Sequence, residues 1–85
     1  MELLLAKSKA GHDKNHIYVV IGEEGDVVFL ANGTTKKCQS PKKKKKIHIQ
    51  PIRHLEPELI QMVQDDKEMD DALVVEILNL YNRRD

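Results

Sequence analysis

Apolar residues in the first fifty positions come in short bursts separated by polar turns. Those of the last thirty recur every three or four positions. That change of period divides the chain into a β half and a helical half. Residues 2–7, which contain LLLA, predict a first strand, and the polar loop SKAGHDKNH follows over 8–16. In that loop Gly11 takes a positive φ at no steric cost, Asn15 tolerates one, and the Asp13 carboxylate can close a local turn. Residues 17–21, IYVVI, are a largely β-branched run and predict a buried strand. Glu23, Glu24, Gly25 and Asp26 supply a turn before VVFLA, the strand over 27–31. Asn32-Gly33 is the strongest two-residue hairpin signal, because both central positions need φ > 0, so residues 34–38 are expected to return as the partner strand. A connection containing Pro41 and five lysines leads to residues 47–50, IHIQ, which alternate as a half-buried strand does.

Beyond Pro51 the period lengthens. Leu55, Leu59, Met62 and Val63 fall on one helical face, with Pro57 suited to the first turn. A second helix starts at Asp70 or Asp71, either of which can cap it. Leu73, Ile77, Leu80 and Tyr81 form its apolar face, Val74 and Leu78 widen it, and Arg83 and Arg84 suit the negative end of the helix dipole. The expected fold is mainly β: a small barrel over residues 1–54, with an acidic two-helix extension over 55–85 packed on or beside it.

The length of 85 residues supports one domain with a modest core. Cys38 is the only cysteine, which leaves no intramolecular disulfide and fits a reducing compartment; with no base nearby in sequence it is read as structural. No apolar run approaches the ~18 residues of a membrane span. The start, MELLLAKSKAG, holds too short an apolar stretch for a signal-peptide core. A cytoplasmic protein with no membrane partner is expected.

Charge changes the picture most. The formal net charge is zero, yet residues 1–54 hold 11 Lys and Arg against 5 Asp and Glu, while residues 55–85 hold 3 against 9. All four histidines lie in the basic half. Such an asymmetry points to an anionic partner for that half. Its centre is the run Lys42, Lys43, Lys44, Lys45 and Lys46. Because it lies between two predicted strands, it does not read as a free tail, and it is a costly place for a receptor-read targeting peptide. A loop of like charges repels itself, so it is expected to project into solvent and meet phosphates. Lys7, Lys9, His12, Lys14 and His16 crowd the 8–16 loop, where backbone N–H groups around Gly11 and Asn15 add donors. Lys36, Lys37, His48 and Arg53 extend the candidate surface. Neither loop offers an aromatic platform, so structured RNA held through its backbone and shape is expected over stacked single strands.

Other chemistries find less support. His12 and His16 are four apart, but in a loop entering a strand, and no set of cysteines or carboxylates joins them, so no metal and no cofactor is expected. The sequence contains no Gly-rich phosphate loop and no nucleophile–base spacing, so neither catalysis nor a small-molecule substrate is expected. A second reading is a protein-interaction module that presents the apolar face of the last helix. Asp65, Asp66, Glu68, Asp70 and Asp71 would also suit an acidic brake folded over the lysines.

SKAGHDKNHIYVVI, followed by a hairpin and SPKKKKKIHIQ, resembles the KOW-motif RNA-binding proteins, most of all the small ribosomal-protein-type members of bacteria related to large-subunit ribosomal proteins. Ser8, Ala10, Gly11, Asp13 and Lys14 match the family's loop pattern S-x-A-G-x-D-K-G, and residues 17–21 supply its apolar strand. The resemblance covers roughly residues 6–53. It implies an SH3-like β-barrel that binds ribosomal RNA without catalysis, with ribosomal proteins as neighbours. It further implies that Lys9, Gly11, His12, Asp13, Lys14 and the lysine run face RNA, Asp13 bracing the loop more than touching phosphate. Asn15 stands where the family has glycine, and His12 where a basic residue is common.

Overall fold

A computed structural model of the chain describes residues 5–52, 55, 57–64 and 69–82. Five strands, β1 (Leu5–Ser8), β2 (Ile17–Glu24), β3 (Val27–Ala31), β4 (Lys42–Lys45) and β5 (Ile49–Ile52), form one antiparallel sheet in the order β4-β3-β2-β1-β5. Two helices follow, α1 (Pro57–Gln64) and α2 (Asp71–Asn82). The start of the predicted first strand, Arg53, His54, the acidic residues Asp65, Asp66 and Glu68, and the pair Arg83 and Arg84 lie outside the described residues. No helix among the described residues is long and apolar enough to cross a membrane.

The sheet must curl. β4 and β5 lie at opposite edges, which in a flat sheet would be about 19 Å apart at 4.8 Å per strand. Only a single 3-10 turn, Lys46–His48, joins them. Even fully extended, that link reaches no more than roughly 14 Å. The turn is tied at both ends: Lys46 N–H donates to the Asp26 carbonyl (2.8 Å), and the His48 carbonyl accepts from Lys9 N–H (2.9 Å). A register shift between Val20 and Gly22 adds a bulge in β2, and bulges increase local twist. The result is a barrel-like sheet.

Alternation then sorts the apolar residues into two cores. Ala6, Tyr18, Val20, Val28, Leu30 and Ile49 pack together on the inside of the curl. Leu5, Val19 and Ala31 face the other way and are covered by Leu59 of α1 and Val74, Ile77 and Leu78 of α2. β2 is apolar at consecutive positions because it is covered on both faces. The stripe on α2 is thus spent within the molecule, and Leu73, Leu80 and Tyr81 pack half-buried at its margin. Asp70 caps the helix: its Oδ1 accepts from Leu73 N–H at 2.8 Å.

Glu23 and Glu24 continue β2 instead of opening the turn, and three further expectations are corrected. Residues 34–38 are not a strand, and Asn32-Gly33 is not a two-residue hairpin. Gly33 has φ 81°, but Asn32 does not take a positive φ. Asn32 instead organises a wider loop, its Oδ1 accepting from the N–H of Thr34 (3.0 Å) and of Lys36 (2.9 Å). That loop is docked on α2: Cys38 N–H donates to Asp71 Oδ1 at 2.7 Å, and a Cβ on Gly33 would lie 2.6 Å from Val75 Cγ2. Second, the lysines do not project as a loop. Lys42–Lys45 are the partner strand of β3, with Lys42 opposite Leu30 and Lys44 opposite Val28. The ladder is made by backbone groups, so it tolerates lysine, and lysine on an edge strand discourages pairing with a second edge. Third, residues 47–50 are not one strand. The link between opposite edges needs the 3-10 turn, which leaves Ile47 72% exposed, and β5 continues through Pro51, which an edge strand tolerates.

Candidate nucleic-acid interface

The 8–16 loop is built around one carboxylate. Gly11 (φ 86°) and Asn15 (φ 75°) both take the left-handed turn conformation, so Asn15 does what a glycine would do there. Backbone bonds from Asn15 N–H to the Ser8 carbonyl (2.8 Å) and from Ser8 N–H to the His16 carbonyl (3.0 Å) close the loop at its base. Asp13 is turned inward and buried. Its Oδ1 lies 2.9 Å from Ser8 Oγ and 2.8 Å from Lys44 Nζ, and its Oδ2 accepts from the Tyr18 hydroxyl at 3.0 Å. Lys42 Nζ is 3.6 Å from the same oxygen.

These contacts set the titration of the group. Burial opposes ionisation of Asp13, but hydrogen bonds from Lys44, Ser8 and Tyr18, together with the charge of Lys42, outweigh it and hold the carboxyl well below the usual range. Burial, then the hydrogen bond to Asp13 and its charge, push Tyr18 up to about 12. Lys44 also donates to the Ala10 carbonyl at 3.0 Å, so β4 is clasped to the loop across the mouth of the curled sheet.

The lysine run therefore has two sides. Lys42 and Lys44 are half-buried and serve Asp13. Lys46 pairs with Glu23. Lys43 and Lys45 are exposed and pair with no carboxylate among the described residues. Lys43 Nζ lies 6.0 Å from the centre of the Phe29 ring.

Lys9, Gly11, His12, Lys14, Asn15 and His16 are exposed, with Lys7 half-buried at the loop's base. The His16 ring lies 6.5 Å from that of Tyr18. His48 is exposed and its carbonyl bond brings it beside Lys9. Lys36 and Lys37 sit in the loop that docks on α2. The pairings of Lys7 with Ile17 and of Ala31 with Val19 put this loop at the same end of the sheet as 8–16. Arg53 falls outside the described residues.

Burial raises the Cys38 thiol, and Asp71 and Asp70 raise it further, which disfavours the reactive thiolate. Among the described residues no group of three or more His, Cys, Asp or Glu could hold a metal ion. Asp70 and Asp71 cap α2 and hold Cys38, so neither reaches toward the lysines.

Sequence reading missed the outward-facing Phe29 and the Lys44–Asp13 pair. The signal for both was the strict alternation of VVFL against KKKK, visible only once those segments are set side by side.

The fold and this surface define a small, mainly β protein whose edge strand of lysines is half structural and half exposed. No model of a known protein family matches the chain, and no curated protein matches it.

Proposed function

We propose that the protein is a non-catalytic RNA-binding protein of the cytoplasm. Its target is structured RNA, in the first place ribosomal RNA of the large subunit or its assembling precursor, with ribosomal proteins as neighbours. The observation that carries this reading is the unneutralised cationic surface. Lys43 and Lys45 on the outer side of β4, and Lys9 and Lys14 on the loop that Lys44 clasps to the strand's inner side, are exposed and pair with no carboxylate among the described residues, with His12 and His16 exposed on the same loop. Each of these lysines is carried on a rigid support, the edge strand or the closed loop, as phosphate recognition requires. The KOW resemblance supports the reading, and the matched residues have physical work in this loop: Ser8 and Asp13 build the clasp, Ala10 accepts from Lys44, and Gly11 makes the turn. The curled five-stranded sheet is consistent with an SH3-like barrel.

The rival reading, docking of a protein on α2, has less to stand on, since Val74, Ile77 and Leu78 are buried against the sheet.

The test is binding to a structured ribosomal RNA fragment across a salt series. Replacing Lys43 and Lys45 together by alanine should weaken binding to every RNA tried, and should lower the log–log salt slope by roughly 0.7–0.9 for each phosphate that is no longer neutralised. Sedimentation of the tagged protein with large-subunit particles should disappear in parallel. A salt slope unchanged by the double substitution would remove β4 from the interface. Recovery of the wild type only at the top of the gradient would remove the ribosome.

A further inference from the structure

β3 alternates between two environments. Val28 and Leu30 point into the inner core with no exposed surface. Phe29 points the other way, onto the outer face where Ala31 is covered by the helices. Phe29 itself is not part of that covered cluster and stays half-exposed. It is the only phenylalanine of the chain.

Its two neighbours across the sheet are informative. On β2 the register places Gly22 opposite it, and a Cβ there would lie 3.3 Å from Phe29 Cδ2. The ring thus rests over a glycine, where a larger side chain would displace it. On β4 the opposing residue is Lys43, and Val27, two positions back on the same face, faces Lys45. The Lys43 ammonium at 6.0 Å from the ring centre is at the outer limit of a cation–π contact, so moving it costs little.

We infer that this outer face is a stacking site for one unpaired nucleobase, with Phe29 as the platform and Lys43 and Lys45 as contacts to the flanking phosphates. The inference rests on the RNA-binding reading and adds to it an unpaired nucleotide beside the structured region. An aromatic face framed by cations is what single-stranded nucleic acid requires, because bases stack on the ring while lysines follow the backbone. An arriving phosphate gives Lys43 an ion pair in exchange for a weak ring contact. The face carries Lys43 and Lys45 against one carboxylate, Glu24 opposite Val27, and this net positive charge favours a polyanion over an apolar peptide. Structured RNA commonly presents such splayed bases in loops and bulges, where proteins read them. Any base has a π-face, so the site selects unpaired over paired and does not prescribe which base.

Phe29 also shields Gly22, and a test must separate that packing role from stacking. Phe29→Leu keeps an apolar cover and removes the π-face; Phe29→Tyr keeps both. Fluorescence anisotropy would be read with three probes: a single-stranded oligouridine, an abasic ribose-phosphate oligomer of the same length, and an RNA duplex. The wild type and Phe29→Tyr should bind the oligouridine roughly ten- to a hundred-fold more tightly than the abasic oligomer. Phe29→Leu should lose that preference and keep its duplex affinity. The chain lacks tryptophan, so Phe29→Trp adds a single reporter, whose emission should be quenched by the oligouridine and not by the abasic chain. If Phe29→Leu binds the oligouridine as the wild type does, the stacking site is refuted while RNA binding stands. If the wild type binds none of the three probes, the RNA-binding reading fails and this inference falls with it.

Discussion

Asp13 sits at the centre of the loop with both oxygens engaged, by two hydroxyls and two ammonium groups. Its role is to hold, and a phosphate brought near it would be repelled. Its folded-state carboxyl is held below the unfolded value, so its contribution to stability is fully present above about pH 4 and is lost as the pH falls below that. Asp13→Asn keeps the shape but turns an amide toward donors that need an acceptor. It should destabilise the protein by about 2–3 kcal/mol at neutral pH, less than a fully buried pair because Asp13 and Lys44 keep a little solvent contact. Urea unfolding of both proteins from neutral to acid pH checks this: the gap between them should shrink as the pH drops below about 4. A constant gap would mean that the Asp13 carboxyl titrates alike in the folded and unfolded chains, so that its contacts do not favour the ionised form. The turn-forming residues of this loop were legible in sequence, because Gly, Asn and Asp act within a few positions of themselves. The lysine that completes the site stands 31 residues away, and nothing local announces it.

β4 carries its meaning in its alternation. Replacing Lys43 and Lys45 by alanine should leave the urea midpoint nearly unchanged and, on the proposed function, reduce RNA binding. Lys44→Ala should do the opposite, costing about 1–3 kcal/mol of stability because Asp13 and the Ala10 carbonyl are deprived of a buried donor. Similar effects of the two changes on stability would show that the strand register is wrong. The 32–40 loop has its own sensitive point. Gly33 combines a φ of 81° with contact against Asp71 O and Val75 of α2. Gly33→Ala should cost about 2–4 kcal/mol, from the left-handed conformation and from the clash together. Thermal unfolding reads this directly, and an unchanged midpoint would mean that the loop does not dock on α2. Asn32-Gly33 looks like a hairpin in sequence because the dipeptide is judged alone. The asparagine side chain and the neighbouring helix decide otherwise.

The two cores make the sheet and the helices one structure. Leu5, Val19 and Ala31 face α1 and α2, and removing α2 would expose them to water. A chain ending at residue 69 should therefore lose its cooperative thermal transition and bind a hydrophobic dye. A truncated chain that kept dispersed amide resonances would show the barrel to be independent of the helix, and the stripe would become a candidate docking face. The uneven charge has a consequence at this scale as well. The basic half supplies the exposed cations, while Asp70 and Asp71 of the acidic half are occupied in capping α2 and holding the 32–40 loop. Nothing they do competes with an anionic ligand.

The chain alone determined the division into strands and then helices, the start of β2, the limits of β3, the start of α2 and the concentration of positive charge. Each of these depends on periodicity, capping or composition within a short window, where neighbours in sequence are neighbours in space. Only the tertiary structure decided that the lysines form a strand, which of them face Asp13 and which face solvent, and that Phe29 is left half-open on the outer face. Those outcomes depend on which segment pairs with β3 and on how far the helices reach across the sheet. Pairing between distant segments is set by backbone hydrogen bonds and by the burial available on each face, and lysine residues carry no local mark of either.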